Sequence, residues 1–489
     1  MSLHLHPRQA PADRLRLWVG ATGRTRAPGA LRFELDGQAV DARPLRPLTQ
    51  ARSEVPAGGA RAYTGVFEIA ADGQGRPLAP AQTYRAVVRE DGSPHRAGLV
   101  VRTLPDGVPS GLGESFRVLL ASCFHAAEDR TARLGALIRG LPATLRPHLT
   151  LLMGDQVYLD LPTLANFPDD QKALEERFER DYLANWTDPG GYAQLLAAAP
   201  TVAVPDDHEY WNNAPHASPI IQNSWKAEGR ERWRRAAERM YEAFQLAHPQ
   251  KLGEPVEVRV PPLSFLLLDT RSQRREDRAR SLSPQALRAV EDWARTTAAA
   301  GEFGVVVTGQ SLFDAPTGKL AGTVGDWTLA DYGDYRPLVR ALAGLAEVGR
   351  PVLCLTGDVH WGRVLAARGH GGAPRFYEII TSPSSLVTSV GMDQVATVGG
   401  AVQRLLGGEA DPWPRHSDPA EPEKLFGAGV LASSYATETI HPQKGNQVAL
   451  LSFRRIGNTL ELRITYFPVP RSGASRARQV APIKLAPRG

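Results

Sequence analysis

The stretch LLMGDQVYLD (151–160) joins an apolar run to residue types that can bind a metal ion. The run predicts a buried strand over residues 148–153 that stops at a glycine, with Asp155 and Tyr158 just beyond its end. In parallel α/β sheets, ligands bind at this carboxyl edge of the strands. A helical turn there would place both side chains on one face. A carboxylate and a phenolate are hard oxygen donors suited to a trivalent metal ion. A turn with a capping aspartate and a packing tyrosine explains this stretch alone equally well.

Further apolar runs end on residues that bind metal ions, bind anions or move protons. The runs are FRVLLASC (116–123), TVAVPDDH (201–208), SFLLLDTR (264–271), GVVVTGQ (304–310), PVLCLTGDVH (351–360) and FYEIITSPSS (376–385). Their ends carry Cys123 with His125, Asp206 to Glu209, Asp269 with Arg271, Gln310, Asp358 with His360, and Ser382 to Ser385. In a parallel sheet such ends lie along one edge, so these residues can meet although they are far apart in the chain. The series predicts one shared site.

The residue types of this series favour metal chemistry. Asp, His, Cys and Tyr together supply more anionic donors than one divalent ion needs, which predicts a polynuclear centre bridged by a carboxylate. Asp358 and His360 are two residues apart at a strand end and therefore lie on one side, and Gly357 lets the backbone approach closely. A buried cluster of this charge would be costly without bound cations.

The elements that must position these residues form layers. Short apolar runs separated by helical stretches predict an α/β structure with a sheet covered on both faces. Helices are predicted for ARLGALIRGL, for the Arg-rich stretch around 225–247, for SPQALRAVEDWART with Ser283 as N-cap, and for YRPLVRALAGLAEV. The final runs, GNQVALLSFRRIG and TLELRITYFPV, alternate and predict an antiparallel hairpin. Residues 386–435, rich in Gly and Pro, predict a long surface excursion.

The amino-terminal part of the chain follows a different pattern. Residues 14–103 contain short stretches in which apolar and polar residues alternate between Gly and Asp turns, which predicts a small β-sandwich of the immunoglobulin or fibronectin type. The Pro- and Gly-rich segment 105–115 marks the boundary. The sequence therefore predicts an all-β domain over residues 1–110 and a catalytic domain over residues 111–489.

Composition narrows the function classes. A chain of 489 residues predicts two or three domains. No apolar run approaches the roughly 20 residues of a membrane span, and the amino terminus lacks the apolar centre of a signal peptide, so a cytoplasmic protein is expected. Two cysteines, Cys123 and Cys354, give no disulfide framework and are expected to be buried as small apolar residues. The net charge of +5 is dispersed over helical arginines. It is weak evidence for a nucleic-acid partner and fits a solvated helix face better.

The chain resembles the PhoD-like alkaline phosphatase family of the calcineurin-like metallophosphoesterases in five motifs. They are, in order, SCF (122–124), GDQVYLD (154–160), DDHEYWNN (206–213), LDTRSQR (268–274) and GDVH (357–360). The resemblance implies a metallophosphoesterase-type layered α/β sandwich, preceded by the small all-β domain that the family carries. It therefore covers nearly the whole chain.

The resemblance also implies an iron(III) ion (Fe3+) next to one or two calcium ions (Ca2+). The positions that match the iron ligands are Cys123, Asp155, Tyr158 and His360. Those that match the calcium ligands are Asp155, as the bridge between the ions, with Asp358 and Asn212. For the last of these, Asn213 could be the aligned residue, and Asp207 or His208 could take its place.

The implied mechanism uses a metal-bound hydroxide, because the series contains no Ser or Cys nucleophile with a partner base. Arg271 matches the family's Asp-Thr-Arg motif and is expected to hold the phosphate in a bidentate fork. His208 is a candidate either to protonate the leaving oxygen or to orient a ligand. Asp160 lies off the face shared by Asp155 and Tyr158, so it is expected to orient a neighbour or cap a turn.

The loop GKLAGTVGDWTLADYGDYR (318–336) is a candidate cover for the site. Trp327 and Tyr332 within it are expected either to stack on substrate or to pack in the core.

The predicted function is metal-dependent hydrolysis of phosphate monoesters, diesters or both, with a small-molecule phosphate ester as substrate. Nucleic acid enters only as a substrate in this interpretation. The alternative is a catalytically silent metal- or phosphate-binding module of the same fold. A third, a nucleic-acid binder driven by positive charge, predicts a steep salt dependence and no metal requirement. Two features depart from the family: a secretion signal is missing, and His125 follows the cysteine. The oligomeric state is not readable from the sequence.

Overall fold

The computed structural model describes residues 2–56, 58–162, 165–313, 326–357, 362–368, 374–385, 436–443, 445–469 and 476–487. Asp358, His360 and the excursion predicted for 386–435 lie outside the described residues. The helices are α1 Arg133–Arg139, α2 Gln171–Trp186, α3 Tyr192–Ala198, α4 Ala227–Phe244, α5 Pro284–Ala299 and α6 Tyr335–Glu347. The first strands are β1 Ser2–Arg8, β2 Leu15–Arg24, β3 Leu31–Leu35, β4 Gln38–Val40, β5 Arg43–Gln50, β6 Arg61–Ile69, β7 Thr83–Glu90 and β8 Arg96–Arg102. Next come β9 Phe116–Ala121, β10 Leu149–Met153, β11 Thr201–Val204, β12 Val256–Val260, β13 Leu263–Leu267, β14 Phe303–Thr308 and β15 Val352–Thr356. The last are β16 Gly362–Arg368, β17 Pro374–Ile380, β18 Ala436–Gln443, β19 Gln447–Ile456, β20 Thr459–Pro468, β21 Arg478–Gln479 and β22 Ile483–Leu485.

Two large sheets form the centre of the molecule, and the expected α/β class is confirmed. The first has 11 strands in the order β21-β20-β19-β9-β10-β11-β1-β2-β6-β5, with β22 beside β20. The second has seven strands in the order β12-β13-β14-β15-β17-β16-β18. Within them, β9, β10 and β11 run parallel, as do β13, β14, β15 and β17.

The two sheets pack face to face, so the expectation that all strand ends lie on one edge of a single sheet is wrong. Leu151 and Val118 of the first sheet share an apolar core with Val305 and Leu353 of the second. Helices α1 to α4 cover the outer face of the first sheet, and α5 and α6 cover that of the second. An apolar strand looks the same in sequence whether helices cover both faces or a helix covers one and a sheet the other, so the pattern could not separate the two arrangements.

The amino-terminal strands are joined to the first sheet. A second small sheet, β4-β3-β7-β8, packs on β1, β2 and β6 around a shared apolar core. Strand β1, which the sequence did not predict, pairs with β11 at Arg8 and Thr201. The Trp18 indole N–H also donates to the Ala243 carbonyl at the end of α4, at 2.9 Å. The hydrogen bonds therefore run on from this segment into the central sheet, and the boundary at residue 110 stays a prediction.

Several local expectations are confirmed. Strands β19 and β20 pair in an antiparallel hairpin over their full length. Helix α5 begins as its sequence predicts, with the Ser283 hydroxyl accepting from the Ala286 N–H at 3.0 Å. On α4, Arg234 pairs with Glu231 and Glu238 on a partly exposed face, as the solvated-face interpretation requires. Among the described residues, no helix is both long and apolar enough to cross a membrane.

Candidate metal centre

The two sheets come into close contact where their predicted functional strands end. A Cβ atom built on Gly357, after β15, would lie 1.9 Å from the Met153 carbonyl oxygen at the end of β10. One built on Gly309, after β14, would lie 3.0 Å from the Asp206 carboxyl carbon after β11. Only glycine permits this approach, so the ends of β10 and β11 meet those of β14 and β15. The close backbone approach predicted at Gly357 is confirmed.

Asp155 is fully buried beyond β10 in a left-handed conformation, with φ of 59°. Its Oδ1 accepts from the His208 backbone N–H at 3.2 Å, and its Oδ2 lies 3.6 Å from the Cys123 sulfur. The turn after β10 is not a helix, so the expected one-face spacing of Asp155 and Tyr158 is wrong. The Glu209 carboxylate accepts from the Asp155 and Gln156 backbone N–H groups and thereby fixes a tight non-helical turn.

Cys123 and Tyr158 lie side by side although the turn is not helical. They form a small buried cluster of their own. Cys123 also has a positive φ, 53°, and the Ser382 hydroxyl donates to its sulfur at 3.1 Å. The Tyr158 ring lies 4.2 Å from the His208 ring and 5.7 Å from the His125 ring, between centroids. Three positions matched to iron ligands, Cys123, Asp155 and Tyr158, therefore occupy one buried place.

Two overlapping groups of acids and histidine could hold metal ions. Asp155, Asp207 and His208 offer one ligand atom each within 4.8 Å of one another. Asp206, Asp207 and Asp326 do the same. Because Asp207 belongs to both groups, the arrangement extends from the end of β10 to the loop before α6. It has the donor types expected of a site with more than one cation.

His208 is oriented by Asp160. The Nδ1 atom of His208 lies 2.8 Å from the Asp160 Oδ1, and Asp160 Oδ2 accepts from the Asn212 backbone N–H at 2.7 Å. Asp160 is fully buried. The accessory role expected for Asp160 therefore has a definite partner, and the orientation of the imidazole is fixed at Nδ1.

Both asparagines of DDHEYWNN are buried beside these acids. Asn213 has φ of 69°, and its backbone N–H donates to Asp207 Oδ2 at 3.0 Å. Asn212 donates its backbone N–H to Asp160 instead. Which of the two side chains could ligate an ion stays a prediction.

The acids around Asp155 are buried close to one another. Burial raises the pKa of Asp207 to about 6, with His208 and Arg271 opposing that rise. Asp206 Oδ2 is buried and accepts no hydrogen bond from the part of the chain that the structure describes. Buried carboxylates this close to one another repel, even with the protein donors that they have, so a bound cation is favoured. The residues present therefore fit metal ions.

Glu209 is a residue whose role sequence reasoning missed. Its carboxylate accepts from the backbone N–H groups of Asp155, Gln156 and Asp206, between 2.6 and 2.9 Å, and from the Gln245 amide at 3.2 Å. Burial raises its pKa to about 7. Its place in DDHE was visible in the sequence, but an acid that ties two strand ends together by their backbones looks the same there as a ligand.

Arg271 lies between Asp206 and Asp326 and is 2% exposed. Its Nε donates to Asp206 Oδ1 at 2.7 Å, and its two terminal nitrogens donate to the Asp326 carboxylate at 3.0 and 2.5 Å. The Ala214 carbonyl accepts from the same guanidinium at 2.8 Å. Arg271 is thus beside the acids, as expected, but protein oxygens occupy its donors. Asp326 was not singled out in the sequence, since it lies in a Gly-rich loop with no motif.

The aromatic residues of that loop are buried. Trp327 lies between the His216 ring, at 5.9 Å, and the Arg278 guanidinium, 4.1 Å from its ring centroid. Tyr332 packs against the Arg274 guanidinium at 4.7 Å. Both contacts favour core packing over stacking on substrate.

Comparison with solved structures supports the fold that the motifs implied. The backbone is similar to that of PhoD over 98% of this chain and 91% of that one, with a TM-score of 0.59 and 13% sequence identity. At this identity the likeness concerns the fold, and at that level the predicted PhoD-like resemblance is confirmed.

Two further structures are more distant. A dimetal phosphatase from Danio rerio has a TM-score of 0.35 and 10% identity over 75% of this chain and 98% of its own. GAP50 of Plasmodium, described as the anchor in the inner membrane complex, has a TM-score of 0.34 and 10% identity over 75% and 88%. No family model matches this sequence, and no curated protein matches it either.

Proposed function

We propose that this protein hydrolyses phosphate esters with bound metal ions, acting on small-molecule monoesters, diesters or both. The observation that carries the proposal is the buried group of Asp155, Asp207 and His208, whose ligand atoms lie within 4.8 Å of one another. It lies next to Cys123 and Tyr158 and within reach of an arginine. The PhoD-like fold supports the same conclusion.

The metal-binding roles follow from the donors and from the motif resemblance. Cys123, Asp155 and Tyr158, with His360, would hold iron(III), because the carboxylate and phenolate oxygens favour a trivalent ion. Asp155 and Asp207, with Asp358 and an asparagine, would hold calcium. When bound, these ions supply the activated water and neutralise the phosphoryl oxygens.

We assign His208, the third member of that group, to protonation of the leaving oxygen rather than to metal binding. Asp160 orients its ring through Nδ1, which suits an acid. The buried Asp160 carboxylate stabilises the positively charged imidazolium form. Glu209 keeps the backbones of Asp155 and Asp206 in place, so it positions residues without contacting substrate.

A catalytically silent metal- or phosphate-binding module is the second candidate. One observation favours it: the Arg271 donors that would hold a phosphate are taken by Asp206, Asp326 and the Ala214 carbonyl.

The test is hydrolysis of nitrophenyl phosphate and bis-nitrophenyl phosphate by the purified protein before and after chelation. We expect turnover that chelator abolishes and that iron with calcium restores, together with the visible absorption of an iron(III)-tyrosinate. Tyr158→Phe should lose that absorption, whereas Cys354→Ala, which changes a cysteine buried in the helix-covered core, should keep it. Colourless protein that shows no turnover in added iron and calcium would exclude the proposed enzymatic function.

A further inference from the structure

Asp326 is surrounded by side-chain donors from three residues. Its two oxygens accept from the terminal nitrogens of Arg271, and its Oδ2 accepts from Arg274 at 3.4 Å. The Gln310 side-chain amide donates to the same oxygen. Two guanidinium groups and one amide therefore converge on a single anionic group, which is the pattern of a phosphate-binding site.

The donors that surround Asp326 are built into the fold. Arg274 is anchored by the Thr270 carbonyl at 2.9 Å and the Trp327 carbonyl at 3.1 Å, and its side chain is fully buried. Gln310 follows β14 and also accepts from Arg274. Arg271 and Arg274 both follow β13. These donors follow the ends of β13 and β14, and Arg274 and Gln310 also bond to each other. Their positions therefore do not depend on Asp326 alone.

Asp326 is the most accessible member of the group. Its side chain is 16% exposed, against 1% for Arg271 and 0% for Arg274. A change in the Asp326 side chain alone would therefore open both guanidinium groups to an incoming anion. Its carboxylate also lies within 4.8 Å of ligand atoms of Asp206 and Asp207. An anion bound in its place would adjoin the candidate metal centre.

We propose that Arg271, Arg274 and Gln310 form the subsite for the non-bridging phosphoryl oxygens of the substrate, and that Asp326 fills this subsite until the substrate displaces it. The proposal rests on the proposed function, whose phosphoryl group it places. It assigns Arg274 and Gln310 to substrate binding, and it explains why the donors of Arg271 are occupied.

The expected effect of Asp326 follows from competition for one set of donors. The apparent dissociation constant of an anion equals its intrinsic value divided by the fraction of molecules in which the subsite is open. If Asp326 fills the subsite in about nine molecules of ten, its removal tightens anion binding about tenfold.

The experiment is calorimetric titration of inorganic phosphate into the metal-loaded protein. The variants are Asp326→Asn, which keeps the shape of the side chain and removes its charge, and Gln310→Ala. We expect Asp326→Asn to bind phosphate about tenfold more tightly, and Gln310→Ala to bind it more weakly. Asp277→Asn, which removes an exposed carboxylate from the neighbouring loop, is the matched control and should leave binding unchanged.

High salt and metal analysis complete the test. A general charge effect is screened by salt, whereas competition for the same donors is not, so the tighter binding should persist at high ionic strength. Unchanged or weaker phosphate binding by folded Asp326→Asn would overturn the proposal, as would loss of bound metal, which would make Asp326 a ligand. Phosphate binding is read without turnover. Absence of hydrolysis in every variant would thus count against the proposed function alone.

Discussion

The site has an acid-rich half, at the ends of β10 and β11, and an arginine half, at the ends of β13 and β14. Their buried charges are balanced differently. At the ends of β10 and β11, the acids around Asp155 and Asp207 face one another, and burial raises the pKa of Asp207 to about 6. At the ends of β13 and β14, Asp326 faces two arginines, which lower its pKa although burial opposes them. Burial lowers the pKa of Arg271, but Asp206, Asp326 and Asp207 together raise it well above its ordinary value.

This difference identifies what each half lacks. Arg271 pairs with Asp206, but the close acids of the acid-rich half favour a further positive charge, which a metal ion would supply. The arginines are already paired with Asp326 and, for Arg271, with Asp206, so an external anion must compete for their donors. A substrate that brings a phosphoryl group to both halves would be held by cations on one side and by guanidinium groups on the other.

The largest effect is expected from Asp155→Asn. This substitution removes the carboxylate that we propose as the bridge between the ions, so we expect activity to fall about a thousandfold, equal to about 4 kcal/mol of transition-state stabilisation. The measurement is kcat/KM with a nitrophenyl diester. Asp277→Asn is the control for an unspecific loss of a carboxylate, and equal activity in the two variants would show that the acid-rich half is not catalytic.

A smaller effect is expected in His208 and Asp160, the pair that we propose for proton transfer. His208→Asn should lower kcat about a hundredfold for an ester with an alkoxide leaving group and much less for a nitrophenyl ester, which needs no protonation. Asp160→Asn should lower it about tenfold, since it acts only through His208. If both leaving groups respond equally to His208→Asn, His208 has a role other than leaving-group protonation.

The same substitution should have opposite effects on stability in the two halves. In metal-free protein near pH 7.5, Asp207→Asn should raise the free energy of unfolding by about 3 kcal/mol, because an ionised acid with a raised pKa destabilises the fold. Asp326→Asn should lower it by about 3 kcal/mol, because it removes the carboxylate that two buried arginines share. Urea unfolding of both variants tests the contrast, and effects of equal sign would show that the two halves do not differ in charge balance.

The smallest expected effect is the pH dependence of the stability that Asp207→Asn adds. The pKa of Asp207 is about 6 in the fold and about 3.9 when unfolded, so its ionisation removes stability as the pH rises through this window. The gain from Asp207→Asn should therefore fall by about half between pH 7.5 and pH 5. The difference between variant and wild type is the quantity to measure. Buried His6 and His148, whose pKa values burial lowers to about 3, change the absolute stability in the opposite direction.

Much of the site could be predicted because strand ends carry local signals. An apolar run followed by Gly-Asp places Asp155 in any parallel sheet, and Cys123, Asp155, Tyr158 and His208 come together as expected. Arg271 also lies in the predicted place.

The rest depends on contacts that leave no local trace. Two packed sheets give the same pattern of apolar strands in the sequence as one helix-covered sheet does. Strand β1 pairs with β11 only through a few residues near the start of the chain. Asp326 becomes important only because the fold brings its loop against two arginines from β13. Glu209 binds backbone N–H groups, which nearly every residue type has, so the sequence does not indicate its partners.

The most direct test of the account is the metal content of wild type, Asp155→Asn and Asp326→Asn after loading with iron and calcium and exhaustive dialysis. We predict that Asp155→Asn loses bound metal while Asp326→Asn keeps the wild-type amount, since only the first half needs external positive charge. Full metal content in Asp155→Asn, or loss of metal in Asp326→Asn alone, would contradict the division of the site into a cation-binding half and an anion-binding half.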